Sequence, residues 1–453
     1  MRNYLRKLYR VRQIKRDTAK VEFENFCFFS HKEEILFTFF LFFFFNTCAQ
    51  VNNNSKKEAA TEIKFSGFIK YELFADTRQT VNAREGLVVL YPENVLMDLN
   101  NNDVNAKSSV NMLSINSRLR CNISGPVLLG AKSSGLVEAD FYGNENRNFS
   151  DLNGLRMFNA YMKFKWSTTE LLVGQYWHPM SVPEFFPAVI SFNAGAPFHP
   201  MSRNPQIRLV QSIGMAKLIG CLFSQRDFTG TGPDGPGSQY LRNSGLPNMH
   251  FMVQSGTDSS KFSAGTGIDY KKIVPELFTV NDEEEIFETK KSLTSISFVG
   301  FINAKTQHLT FRAQCIYSRN AYDILMIGGY AVKKVSNAQT GEMEFSNLNT
   351  LSGWGDVQST GSKIHFGVFG AYSKNMGAGE FIDGPFYTRG ADIGSVYRIS
   401  PRIVYTIRSL DIALEEEYTN ASYGTVNGNM KGGVTVTKSV SNIRSLLSLK
   451  YSF

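Results

Sequence analysis

The feature that most narrows the folding options of this chain is a two-residue rhythm. From about position 65 to the last residue, segment after segment carries apolar side chains at every second position with polar or charged ones between them. Successive side chains of a strand point to opposite faces, so each such segment is a strand with one apolar and one polar side.

In Phe65 to Asp76, Phe65, Gly67, Ile69, Tyr71 and Leu73 share one face, and Ser66, Lys70, Glu72 and Asp76 the other. Phe68 and Phe74 break the rule. Asn111 to Ile123 is cleaner, with Leu113, Ile115, Leu119, Cys121 and Ile123 opposite Asn116, Arg118, Arg120 and Asn122. Ser124-Gly125-Pro126 then reads as a turn, after which Val137, Ala139 and Phe141 oppose Glu138 and Asp140. The pattern recurs at Ile207 to Ile213 around Arg208, at Leu309 to Tyr317 around Arg312 and Gln314, and at Ile364, Phe366 and Val368. It returns where Ile412, Leu414 and Tyr418 oppose Glu415 and Glu417.

Short turns alternate with long polar segments at 77 to 108, 179 to 204, 227 to 247, 271 to 290 and 424 to 439. A sandwich must cover its apolar faces with a second sheet, and nothing makes its long and short connections take turns. A transmembrane barrel does both: its strands need about 9 to 11 residues to cross, with short turns on one side and long loops on the other. A bilayer offers no partner to an open sheet edge, so the last strand must pair with the first. The expected fold is therefore all-β, a single transmembrane antiparallel β-barrel over 64 to 453 with about sixteen strands, within about fourteen to eighteen.

Composition removes the competing classes. With 42% hydrophobic residues, 19% charged and 37 phenylalanines in 453 residues, the chain is neither disordered nor collagenous. Its formal charge of +8 suggests nucleic acid, but residues 1 to 49 hold nine basic and five acidic residues, leaving 39 against 35 without a basic run. No nucleic-acid partner is expected. Cys27, Cys48, Cys121, Cys221 and Cys315 include no C-x-x-C pair, and the six histidines lack metal-ligand spacing. No G-x-S-x-G or phosphate loop occurs. Asp282-Glu283-Glu284-Glu285 reads as a solvated loop tip rather than a calcium site. No metal, cofactor or catalytic residue is expected, and the chain is not read as an enzyme.

The first 49 residues read as an amino-terminal extension plus a secretory signal. Ile35 to Phe45 is an uncharged run of eleven, too short to span a bilayer, and Thr47-Cys48-Ala49 precedes a cleavage point before Gln50. Lipidation of Cys48 is the alternative, although Phe45-Asn46-Thr47 is a poor approach to it. A buried helix of a cytosolic protein fits less well, because VNNNSKKEAATE follows as a solvated linker over 50 to 63.

At the other end, Ile443, Leu447, Leu449, Tyr451 and Phe453 alternate with Arg444, Ser448, Lys450 and Ser452, and the chain stops at Phe453. A closing strand with a carboxy-terminal Phe resembles the signal by which Gram-negative outer-membrane barrels engage the barrel assembly machinery, which would make Leu449, Tyr451 and Phe453 the assembly signal. Leu155-Arg156-Met157 to Ala160-Tyr161, with Val173-Gly174-Gln175-Tyr176-Trp177 and Pro179, resembles a strand pair of porin-like barrels, with Phe158 where a second arginine is expected. Asp76-Thr77-Arg78-Gln79-Thr80 to Arg84-Glu85-Gly86, Tyr91-Pro92, and Arg203-Asn204-Pro205-Gln206-Ile207-Arg208 are similar to Bacteroidota barrels related to trimeric DcaP-like porins.

The resemblance implies an outer-membrane porin, a homotrimer set in outer-membrane lipid, passing small hydrophilic solutes by diffusion. Arg118, Arg120, Arg156, Arg208 and Arg312, with Glu72, Glu138, Asp140, Glu415 and Glu417, are the expected pore-lining set. Opposed rows would make a transverse field, and the arginines on early strands tip selectivity towards anions. Pairing across neighbouring strands is the other reading of the same residues. The segment 179 to 204, with Pro183, Pro187, Pro197 and Pro200 and with Phe185, Phe186 and Phe198, is expected either to fold inward as a constriction or to pack on the rim. A barrel that works as an enzyme or adhesin through its loops, and a secreted β-rich carbohydrate binder, are the rival functions.

Overall fold

The computed structural model describes residues 61–141, 143, 154–256, 260–361 and 363–453. The signal segment, Cys48 and nearly all of the linker lie outside these residues.

Sixteen strands form one closed antiparallel wall. They are β1 (Glu62–Asp76), β2 (Arg118–Leu128, preceded by Ser109–Leu113), β3 (Ala131–Phe141), β4 (Leu155–Lys165), β5 (Thr169–Trp177), β6 (Arg203–Ile213), β7 (Ala216–Phe223) and β8 (Asn248–Ser255). The second half comprises β9 (Phe262–Ile273), β10 (Leu293–Lys305), β11 (Leu309–Arg319), β12 (Glu342–Ser359), β13 (Ile364–Ala378), β14 (Ile393–Ile407), β15 (Leu410–Asn427) and β16 (Gly433–Ser452). Each pairs with the next, and β16 closes on β1 from Phe68 opposite Ser452 to Asp76 opposite Arg444. The chain terminus completes the seam, since Phe453 and Gly67 exchange backbone hydrogen bonds of 3.0 and 3.1 Å. Among the described residues, none of the sixteen strands leaves an open edge in the wall.

The burial pattern is inverted relative to a soluble protein. Phe65 is 68% exposed on the outside of β1, Phe366 59% on β13 and Leu414 53% on β15, whereas Glu138 and Glu417 are each 1% exposed inside. An apolar outside and charged inside fit hydrocarbon around the wall, because an arginine at the lipid midplane costs about 2–4 kcal/mol. The connections also alternate as expected: β2 to β3, β4 to β5 and β14 to β15 are joined by tight turns at one end, and the long segments lie at the other.

Three local expectations are corrected. Ser124-Gly125-Pro126 is not a turn: β2 runs through it with a bulge between Ser124 and Val127, and the chain reverses at Leu129-Gly130. A bulge frees the ladder of the N–H that proline lacks, and Ser133 Oγ donates to the Pro126 carbonyl at 2.6 Å. The strand expected over Asn111 to Ile123 is broken at 114 to 117, where Ile115 and Asn116 turn inward and become buried. The segment 424 to 439 is no loop either. β15 and β16 stay paired to Asn427 opposite Gly433, leaving a turn around Gly428–Met430. Beyond the membrane both faces of a hairpin meet water, so the alternation that marks a strand disappears from the sequence.

Candidate functional site inside the barrel

The connection from β5 to β6, residues 178 to 202, does not stay on the rim. It crosses the interior and is fastened to strands on the far wall. The Ile190 and Ser191 backbone N–H groups donate to Glu415 at 2.7 and 3.2 Å, and Asn193 Nδ2 donates to Glu417 at 3.0 Å. The Ala188 N–H reaches Asp356 on β12 at 3.2 Å, and Lys70 Nζ on β1 donates to the Ile190 carbonyl at 2.8 Å. His199 and Met180 meet Gln314 of β11, whose Oε1 lies 2.7 Å from His199 Nδ1 and whose Nε2 donates to the Met180 carbonyl at 3.0 Å.

A second insertion comes from the connection between β1 and β2. Its hairpin, Thr80–Ala83 paired with Val88–Pro92, is buried along the whole of the second strand. Arg398 on β14 staples the two insertions together: NH2 donates to the Val89 and Leu90 carbonyls at 3.2 and 3.1 Å, and NH1 to the Ala196 carbonyl at 3.0 Å. Tyr423 Oη donates to the Pro92 carbonyl at 2.6 Å. Leu90, Phe198 and Ile327, one from each of three connections, then share an apolar core with Trp354, Phe369 and Val396 of the wall. This half of the barrel is packed like the inside of a soluble protein.

The opposite half carries charge. Arg156 grips Asp140 with two hydrogen bonds of 2.8 and 2.7 Å, and Arg120 NH2 lies 2.8 Å from Glu138. Arg118 reaches both acids less closely, at 3.6 Å to Glu138 and 3.5 Å to Asp140. Asp227 takes Arg203, Arg156 at 3.4 Å and Arg84 at 3.7 Å. This group therefore sets five guanidinium ions against three carboxylates.

The remaining expected residues lie elsewhere. Glu72 pairs with Lys70 at 2.8 Å and accepts from Asn116. Glu415 and Glu417 are engaged by the inserted loop. Arg208 donates to Gln206 at 3.0 Å and to the Trp177 carbonyl at 3.1 Å, apart from the cluster. Arg312 stands in register with Asp356, whose two oxygens are held by Arg402 at 2.6 and 3.1 Å. Early-strand arginines and acids are thus neighbours, and the β15 acids across the barrel bind a loop.

Sequence reasoning omitted Arg84, Arg203, Asp227, Lys70 and Lys450 from this set. Lys70, Arg203 and Lys450 were findable, since each occupies an inward position on a strand. Arg84 and Asp227 sit in connections, where no periodicity reports a direction.

Between the inserted loop and the charged wall a cavity of about 310 Å3 remains. Phe186, Ile190 and Phe192 bound it on the loop side, and Lys70, Arg118 and Lys450 on the wall side. Among the described residues no group of three or more His, Cys, Asp or Glu is placed to hold a metal ion.

No protein-family model matches the chain, and no curated protein does. Solved structures match its fold. An anion-selective porin from Comamonas acidovorans superposes with a TM-score of 0.52 at 10% identity, covering 87% of this chain and all of that one. OmpT of Vibrio cholerae, expressed in the outer membrane, gives 0.51 at 11% identity over 88% of this chain and all of that one. A trimer form of OmpT gives 0.50 at 11% identity. The likeness lies in the fold: the chain is a sixteen-stranded barrel of the porin kind.

Proposed function

We propose that this protein is an outer-membrane porin, a passive diffusion channel for small hydrophilic solutes with a preference for anions. One observation carries the reading: a closed wall, apolar outside, holds a loop folded across its interior that leaves a cavity bordered by Lys70, Arg118 and Lys450. A cationic lining favours anions, and partial pairing with carboxylates keeps it from trapping them. The channel role requires no catalytic step or cofactor.

The ten expected lining residues enter this proposal in two roles. Arg118, Arg120 and Arg156 face permeating solute, held in place by Glu138 and Asp140, whereas Glu415 and Glu417 anchor the loop. Glu72, Arg208 and Arg312 complete the inner wall. Residues 1 to 49 serve export, and the linker expected over 50 to 63 gives way to the barrel at Glu62, where β1 begins. Leu449, Tyr451 and Phe453 face outward on the seam strand, exposed where the assembly machinery can read them. A homotrimer in outer-membrane lipid is the proposed assembly, and the proposed kinship is with DcaP-like porins, on the motifs at 76 to 92 and 203 to 208.

Purified protein in a planar bilayer tests the proposal. Stepwise conductance is expected, with a reversal potential of anionic sign under a potassium chloride gradient. A silent bilayer, or a protein that stays monodisperse without detergent, would refute it.

A further inference from the structure

The cavity beside the inserted loop has two unlike sides, and the difference specifies a ligand. On the loop side the backbone polar groups are already engaged. The N–H groups of Ala188, Ile190 and Ser191 go to Asp356 and Glu415, and the Ile190 carbonyl goes to Lys70. What the loop turns to the cavity is mainly apolar: Phe186, Val189, Ile190 and Phe192.

On the wall side, cations and aromatic rings take turns. Lys450 Nζ lies 5.2 Å from the Phe68 ring centre and Arg118 Cζ 5.4 Å from it. Phe158 is clasped between Arg118 at 3.3 Å and Arg203 at 3.8 Å, and Arg203 lies 5.2 Å from Trp177. The contacts link Lys450, Phe68, Arg118, Phe158, Arg203 and Trp177 into one continuous chain along the wall. Two of these cations are loosely held. Arg118 meets its carboxylates only at 3.5 and 3.6 Å and its Nε has no hydrogen-bond partner, and Lys450 lies 3.8 Å from Asp411.

We propose that this slot binds and conducts amphiphilic anions, a single carboxylate or sulfonate head on a compact apolar or aromatic body. The inference rests on the channel reading above and names its substrate class. The head passes between Lys450 and Arg118, the loosely held cations that line the cavity, while the body slides between the wall rings and the apolar loop. A small hydrated anion gains the same charges but must shed water against Ile190 and Phe192, which return no hydrogen bond. An apolar body gains from that contact instead, and rings stacked on the cations fix their positions without neutralising them.

The test uses the full-length protein in a planar bilayer, with potassium benzoate against potassium acetate across the membrane. Benzoate diffuses more slowly in water, so an unselective hole passes it less readily than acetate. The expected result is a benzoate to acetate permeability ratio severalfold above one, falling below one in Ile190→Ser and Phe192→Ser. Cyclohexanecarboxylate, apolar without a π-system, is expected between the two. A conducting channel whose wild-type ratio stays below one overturns the slot but leaves the porin reading standing, and a silent bilayer overturns both. Should both serine variants fail to fold, the wild-type ratio decides alone.

Discussion

The two halves of this lumen are built on opposite principles. From β11 to β16 the interior is filled by inserted chain, with Phe198, Leu90 and Ile327 packed against Trp354 and Phe369 and with Arg398 and Glu415 engaged by the inserted backbone. From β1 to β6 the interior keeps its charges on side chains that touch one another at ion-pair distance, and a slot stays free between them, Lys450 of β16 and the inserted loop. The packed half positions the loop, and the charged half works against the surface that the loop presents. In the proposed channel role, selectivity is a property of the gap between them.

That contrast can be broken most severely at Arg398. Its replacement by Met would leave the Val89, Leu90 and Ala196 carbonyls and Glu417 without their cation. Breaking a buried charged network of this kind costs about 3–5 kcal/mol. Heat denaturation in detergent should show the loss, and conductance should rise as the hairpin and loop come away from the wall.

Acid should act next. His199 is buried between Phe186 and Trp354, at ring-centre separations of 4.8 and 5.7 Å. Burial lowers its pKa from 6.5 to about 4, against a smaller opposing effect of the bond to Gln314. With Gln314 Oε1 accepting from Nδ1, the second proton would sit on Nε2, which is buried without a partner. The unfolded chain therefore binds this proton at higher pH than the folded one does. Stability is full above about pH 6.5 and falls as pH drops to about 4, by roughly 3 kcal/mol. A His199→Gln variant should flatten that part of the melting profile, and an unchanged slope would refute the assignment.

Glu415→Gln is milder. The amide oxygen accepts from only one of Ile190 and Ser191 and leaves the other N–H facing an NH2 group, at a cost of about 1–3 kcal/mol. Protease cleavage within 186 to 194 should quicken while the barrel stays folded. The smallest effect is expected in the charged half. Replacing Arg118 and Arg120 with Ser should lower the anion preference by about twofold, and less in concentrated salt, because screening acts within about 10 Å at 0.1 M. A reversal potential that does not move would put the selectivity elsewhere.

Much of this architecture could be read from residue order because the period of a strand is two and lipid enforces it. Val137 and Glu138 are adjacent in sequence and opposite in environment, and the wall strands quoted from the sequence kept their faces except where 114 to 117 interrupts the strand and turns Ile115 inward. The loop over 179 to 204 drew notice through its prolines and phenylalanines, although those residues suit a rim as well as an interior. Where the constraint lapses, reading fails. Thr425 and Thr435 pair beyond the membrane with water on both sides, and Pro126 passes for a turn residue because a bulge leaves no mark in composition.

Sequence alone was enough to establish a closed all-β wall with its apolar side outward and its charges inward, since alternation is local and each strand reports its own faces. The pairing of those charges was left to the tertiary structure. Arg118 lies beside Glu138 and Asp140, while Glu415 lies beside Ile190, 225 residues earlier in the chain. A loop that crosses a lumen chooses its partners by three-dimensional fit, and no periodicity along the chain encodes that distance.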